Sequence, residues 1–275
     1  MKNKTVLVSG ATDGIGKQTA LELASKGARL LVHGRSRRSG KETVEAIRKR
    51  SGNADVHYLH ADLSSFGQVN DLAAKVTRKY GELDVLVNNA GVFLREQLFS
   101  EDGISRVFAV NHLAHFSLTL QLLPLLLGSP QGRVVTVSSV AHVNSPRIDF
   151  SDIEEINSYI DYSAYALSKL ANVLFSNELA RRLEHTRVTS NSLHPGAVST
   201  KLLHAGFGMT GLGVEEGCKT SVFLASDDSV TGVSGRYFSK LEETEASALS
   251  YDPTVRKNLW QLSEEVCGIR MEDFI

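Results

Sequence analysis

"TVLVSGATDGIGKQTALELASK", Thr5 to Lys26, is the stretch on which the fold turns. Thr5–Ser9 is a short β-branched and apolar run that reads as a buried strand. Glycines follow, and Ile15 to Lys26 carries a helical pattern. Gly10, Gly14 and Gly16 permit a tight turn in which the backbone can approach a pyrophosphate, and the helix behind it directs its N–H groups at that anion. Ser9, Gly10, Thr12, Asp13, Gly14, Ile15 and Gly16 are therefore the expected cradle for a dinucleotide. The spacing is Gly-x-x-x-Gly-x-Gly, not the commoner Gly-x-Gly-x-x-Gly. A plain glycine turn capped by Asp13 would read alike in isolation. The rest of the chain separates the two.

Outward from this unit the alternation continues. "RLLVH" (Arg29–His33), "DVHYLHA" (Asp55–Ala61), "LDVLVNNAG" (Leu83–Gly91), "GRVVTVSS" (Gly132–Ser139), "RVTSNSLHPG" (Arg187–Gly196) and "GRYFS" (Gly235–Ser239) read as strands. Gly40–Arg50 and Phe66–Tyr80 read as amphipathic helices, and "FSLTLQLLPLLL" (Phe116–Leu127), broken by Pro124 and too short to span a membrane, as a buried one. With no hairpin signal, the pattern predicts an α/β fold: a Rossmann-type doubly wound parallel sheet of about seven strands with helices on both faces. No linker or repeat interrupts it, so residues 1–275 form a single domain. Two irregular segments, 141–161 and 198–213, follow strand ends and are expected to cover the crevice where such sheets bind ligands.

Composition narrows the function. Of 275 residues, 42% are hydrophobic, and 30 basic residues balance 31 acidic ones to a net charge of −1. That balance gives no electrostatic reason for a nucleic acid or an anionic membrane as partner. Cys218 and Cys267 lie far apart and the nine histidines lack ligand spacing, so reduced thiols and no metal are expected. The first apolar run is too short for a signal core or a span. No membrane anchor and a cytoplasmic location are the corresponding expectations.

In a doubly wound sheet the informative residues stand just after each strand. After the second strand comes "HGRSRR" (His33–Arg38), with Gly34 where a ribose-binding carboxylate is expected and Arg35 beside it. Arg35 can pair with a 2′-phosphate, which selects NADP(H) over NAD(H), while Arg37 and Arg38 read as a solvated helix start. After the third strand, Asp62 can accept from an adenine amino group and the backbone of Leu63 can contact the ring. Ser64 or Ser65 can cap the next helix at the same time. After the fourth, Asn89, Ala90 and Gly91 suit a floor beneath a ribose, with Asn88 holding neighbouring strands. After the fifth stand Ser138 and Ser139, and further on "YALSK" places Tyr165 and Lys169 one helical turn apart on one face. After the sixth, Pro195 and Gly196 fix a turn that can lie along a nicotinamide, followed by Val198; His194 reads as a packed strand-end residue.

In this order and at this spacing, "SGATDGIG", "NNAG", "SS", "YALSK" and "HPG" resemble the short-chain dehydrogenase/reductase family of the classical type, over nearly the whole chain. "YALSKLANVLFSNELARRL" and "LWQLSEE" resemble its retinol-dehydrogenase-like branch. Ser9 stands where the family commonly has threonine and keeps the hydroxyl. The resemblance implies four catalytic positions: Asn111 in "VNHLAHF", Ser139, Tyr165 and Lys169. Tyr165 would be the general acid or base. Lys169 would lower its pKa and bind the nicotinamide ribose, Ser139 would hold the substrate oxygen, and Asn111 would anchor a water linking Lys169 to solvent. It also implies homodimer or homotetramer contacts through helices near Ser105–Leu126 and Ala164–Arg182. Phe93, Leu94, Val143, Leu202, Leu203, Phe207 and Met209 are expected to line an apolar pocket for a small lipophilic aldehyde, ketone or alcohol. The alternative is a catalytically silent NAD(P)-binding regulator or scaffold on the same fold.

Overall fold

The computed structural model describes residues 1–208 and 210–275, apart from the side chains of Ala205 and Phe207. Strands β1 (Thr5–Val8), β2 (Arg29–Gly34), β3 (Val56–His60), β4 (Val85–Asn88), β5 (Arg133–Val137), β6 (Thr189–His194) and β7 (Tyr237–Ser239) run parallel. Their order is β3-β2-β1-β4-β5-β6-β7, so the winding reverses between β1 and β4. The crevice at that reversal is where a ligand binds in such sheets.

Two-residue periodicity gives the sheet two apolar faces. Val6, Val8, Leu30, Val32, Val85 and Val87 face α1 (Gly14–Ser25) and α2 (Arg37–Ser51). Leu7, Leu31, Leu59 and Leu86 face the opposite layer, built from α3 (Phe66–Tyr80), the long helix α4 (Arg106–Gly128) and, beyond the short α5 (Ile153–Ser158), α6 (Asp161–Arg182). Side-chain caps start these helices where the sequence has its polar residues: Asp13 before α1, Ser36 before α2 and Ser65 before α3.

Three expectations are corrected. Among the described residues the sheet has an eighth strand, β8 (Glu242–Thr244), antiparallel to β7. No hairpin was legible because the turn residues are Lys240 and Leu241, both left-handed (φ 53° and 69°), where asparagine or glycine normally signals the turn. The apolar run at Phe116–Leu127 belongs to a 23-residue helix that is long enough to span a bilayer, yet it is a core helix, 78% buried across its most apolar window. Segment 141–161 covers less of the crevice than expected. Its later part, including Ile148, Phe150 and Ile156, packs instead on the outward faces of α4 and α6.

The C-terminal helix, Pro253–Cys267, completes that outer layer. Its Val255, Leu259 and Leu262 join the same cluster, and Trp260 packs within 5.0 Å of Phe116 and 6.1 Å of Phe175, under the Arg182 guanidinium at 4.3 Å. Helix α6 is consequently buried on every side from Ala164 to Ala180. The two helices that the resemblance assigns to subunit contacts are buried over most of their length within this chain.

Candidate active site

A cleft of about 590 Å³ opens over the carboxyl ends of the strands. It is lined by the turn after β1, the segments after β2, β3 and β4, Ser139, Tyr165, Lys169 and the turn after β6. Of the site residues read from the sequence, Gly10, Thr12, Asp13, Gly14, Ile15, Gly16, Arg35, Asp62, Leu63, Asn89, Ala90, Gly91, Pro195, Gly196 and Val198 all line it. Ser9 and Asn111 lie behind its wall, fully buried.

Two glycines are required by contact. Gly10 has φ +62°, and a Cβ there would stand 2.8 Å from Ala90 Cα, so the glycine turn and the Asn89–Gly91 floor touch backbone to backbone. At Gly34 a Cβ would stand 2.5 Å from Thr12 Cγ2. No carboxylate fits there without displacing Thr12, so the end of β2 offers the ribose no acid and leaves Arg35 on the cleft wall.

Ser9 ties this floor to the long helix. Its Oγ accepts from the N–H groups of Asn89 and Ala90, both at 2.9 Å, so its own hydrogen goes to His115 Nε2 at 3.0 Å. His115 then carries its proton on Nδ1 and donates to the Asn111 carbonyl at 3.0 Å. Asn111 sits in a π-turn, Ala109–Leu113, within α4. Its side chain accepts from Val92 N–H at 2.8 Å and donates to Val92 O and Ser168 Oγ, both at 3.0 Å. Both amide hydrogens are thus committed to structure, while Oδ1 and Lys169 Nζ both stand near Gly91: a Cβ there would be 3.6 Å and 3.4 Å from them. Asn88 does not hold a neighbouring strand; its amide donates to Thr119 Oγ1 on α4 at 3.0 Å.

The two serines after β5 differ in their surroundings. Ser138 Oγ donates to the Lys169 carbonyl at 2.6 Å and is structural. Ser139 faces the cleft and is hydrogen-bonded to Tyr165. Lys169 Nζ, 3% exposed, donates to Val137 O at 3.1 Å and lies 5.6 Å from the centre of the Tyr165 ring. Burial pushes Lys169 down to about 8. It pushes Tyr165 up to about 12, against the pull of the Ser139 hydrogen bond. Burial thus favours the neutral phenol of Tyr165, a proton donor.

Of the expected apolar pocket, Leu202 and Leu203 line the cleft, and Phe93 and Leu94 pack beside Tyr165, with the Phe93 and Tyr165 rings 5.5 Å apart. Val143 is 57% exposed and is not among the described residues that line the cleft. Met209 and the Phe207 side chain lie outside the described residues. Helix α7 (Lys201–Phe207) is tied to the glycine turn by Lys201 Nζ on Asp13 Oδ2 at 2.7 Å, and that bond holds the Asp13 carboxyl below its usual range.

Sequence reasoning missed Thr200, Arg106 and Tyr162, which line the cleft, and His115 and His33, which brace it. His33 Nδ1 accepts from Gly10 N–H at 3.2 Å and Nε2 donates to Ala61 O at 3.1 Å. Thr200 had a signal, as a helix-capping hydroxyl four residues after the Pro195–Gly196 turn. The two histidines had none, since a buried histidine reads as core.

These histidines make stability depend on pH. Burial drives His33 and His194 down to about 4, and His112 and His115 to about 3. Unfolded histidine titrates near 6.5, so between that pH and 4 the unfolded chain binds more protons and stability rises with pH. Each fully buried ring contributes up to about 1.4 kcal/mol per pH unit in that window. The melting temperature is expected to be level from pH 7 to 8 and to fall steeply from pH 6.5 to 4. A flat profile across the acid window would mean that these rings are solvated.

The fold and this cleft define a class: a dinucleotide-binding oxidoreductase with a serine, a tyrosine and a lysine at one wall. The orphaned buried Nε of Arg106 and the glycine cradle both fit an anionic, base-bearing cofactor. The sequence profile of the short chain dehydrogenase family matches residues 4–207, and the chain belongs to that family. Human retinol dehydrogenase 14 is 39% identical over 98% of this chain and 88% of its own length. Human retinol dehydrogenase 12 is 38% identical over 99% and 89%. Among solved structures, an uncharacterized protein from Mycobacterium paratuberculosis superposes with a TM-score of 0.82 at 30% identity, covering 98% of this chain and 95% of that one. A short chain dehydrogenase from Escherichia coli CFT073, complexed with NADPH, does so at 0.74 and 25%, covering 88% and 98%.

Proposed function

We propose that this protein is an NADP(H)-preferring oxidoreductase that interconverts a small lipophilic aldehyde or ketone and its alcohol. The observation that carries the reading is the hydrogen-bonded hydroxyl pair of Ser139 and Tyr165, set beside a buried ammonium in the cleft that the glycine cradle opens. When bound, the reduced nicotinamide supplies a hydride. Ser139 donates to the carbonyl oxygen and polarises it. Tyr165, held neutral by burial, gives its proton to that oxygen as the carbon is reduced. Lys169 binds the adjoining ribose, and its charge offsets the phenolate left behind. Oxidation of the alcohol reverses each proton step. Asn111 fixes the wall against which Lys169 rests and offers Oδ1 to a water on the proton's path to solvent.

For the cofactor, the Gly34–Thr12 contact and Arg35 on the cleft wall support NADP(H), as do the NADP and NADPH complexes of structural neighbours. For the substrate, Leu202, Leu203 and Val140 on the cleft, with Phe93 beside Tyr165, support an apolar chain, as do relatives named for retinol. Initial rates with NADPH and a series of straight-chain aldehydes test this. kcat/KM is expected to rise with chain length, by about threefold to fourfold per methylene while the chain is being buried. Rates that are flat or fall with length would contradict an apolar pocket.

A further inference from the structure

Arg106 is the first residue of α4, and its position is fixed. Its N–H donates to Leu98 O at 2.8 Å, and the preceding Ser105 N–H donates to Asn157 Oδ1 at 2.8 Å. The side chain lines the cleft one turn before Val110, which lines it too. Among the described residues the guanidinium makes no ion pair or hydrogen bond, and its Nε is out of contact with solvent. A buried donor left unpaired is costly, and a guanidinium spends five donors. An arginine anchored at its backbone, facing an open cleft and unpaired among the described residues, is arranged for a ligand.

Its surroundings identify which part of a ligand. Arg35 and Arg106 both act electrostatically on Asp62, so the three charged groups share one end of the cleft. They reach it from opposite layers. Arg35 leads into α2, on the face that carries the glycine turn and hence the phosphates; Arg106 leads α4, on the face of α3. On that second face Leu63, Ala90 and Val110 line the cleft, an apolar wall suited to a ring. One Asp62 oxygen is already occupied by Ser64 N–H and Oγ, at 2.9 and 2.8 Å. The amino group of a base is left to the other oxygen.

We propose that Arg106 is a cofactor-binding residue that holds the adenine base, donating to a ring nitrogen or stacking on the ring while Asp62 accepts from its amino group. Arg35, on the other layer, takes the 2′-phosphate. The inference rests on the dinucleotide reading of the cleft and adds a base-reading cation to it. A planar, weakly hydrated guanidinium suits both the edge and the face of a purine.

The experiment is titration of NADPH and NADH against purified full-length wild type and Arg106→Leu, with the melting temperature of both cofactor-free proteins. The expected result is a loss of about tenfold in affinity, the size of one charge-assisted contact, equal for the two cofactors, with an unchanged melting temperature. Loss for NADPH alone would make Arg106 a phosphate contact and overturn the proposal. Unchanged affinities would overturn it as well. A loss accompanied by a lower melting temperature would make the residue structural. If the wild type bound neither cofactor, the dinucleotide reading would fail first, and with it this one.

Discussion

Tyr165→Phe is expected to fold, to bind NADPH as the wild type does, and to lose turnover by about 10²–10⁴-fold, the usual worth of a positioned general acid. The reason lies in what the substitution leaves intact. The Tyr165 ring is 6% exposed and packs with Val107, Ala141, Ala164 and Ala166, with Phe93 at its edge. Phenylalanine keeps all of these contacts. Only the hydroxyl goes, and with it the hydrogen bond to Ser139 and the proton that is transferred to the substrate oxygen. Steady-state rates with NADPH and a lipophilic aldehyde, beside a cofactor titration, check it. Near-wild-type rates in the variant would remove Tyr165 from the chemistry. Loss of NADPH binding would instead assign the ring a structural role.

Arg35→Ala is expected to weaken NADPH by about tenfold to a hundredfold and NADH hardly at all. Arg35 is the arginine at the end of β2 that lines the cleft. Arg38 is 90% exposed and paired at 4.0 Å with Glu42 on the outside of α2, and the residue where a competing carboxylate would stand is a glycine pressed on Thr12. Without Arg35, the cleft wall at the end of β2 loses the guanidinium placed to pair with a 2′-phosphate. Equal losses would show that Arg35 contacts what the cofactors share. With Arg35 on the phosphate and Arg106 on the base, the two variants are expected to fail differently.

Much of this fold was legible because its signals are local. β1, β4 and β5 are short, mostly apolar runs buried on both faces, and Asp13, Ser36 and Ser65 stand where helices begin. The strand missed, β8, is exposed at every residue and joined by a turn without glycine or asparagine, so neither apolar content nor turn chemistry marks it. The outer layer was missed for a different reason. Nothing in Ile148–Ile156 or Pro253–Cys267 says which surface an apolar face will meet, and the answer, the backs of α4 and α6, exists only in three dimensions.

The site divides in the same way. Residues at strand ends were readable, since the sheet dictates that they converge. Ser139, Tyr165 and Lys169 converge from two elements because "YALSK" sets one turn of a helix against the end of β5. The ionisation of the pair was not readable. Proximity alone suggests a lowered phenol pKa, but burial of both groups raises Tyr165 and lowers Lys169. His115, which joins Ser9 to the Asn111 carbonyl, and Arg106, at the far end of the cleft, sit in the interior and at the start of a helix whose sequence reads as packing.

The central claim is that the cleft is a nicotinamide dinucleotide site biased by Arg35 toward the phosphorylated cofactor. Calorimetric titration of the wild-type protein with NADPH and with NADH, before any substrate is tried, tests it most directly. NADPH is expected to bind at least about tenfold more tightly than NADH. Equal affinities, or tighter NADH, would contradict the assignment of Gly34 and Arg35 while leaving the proton chemistry of Tyr165 standing. Binding of neither would contradict the claim at its base.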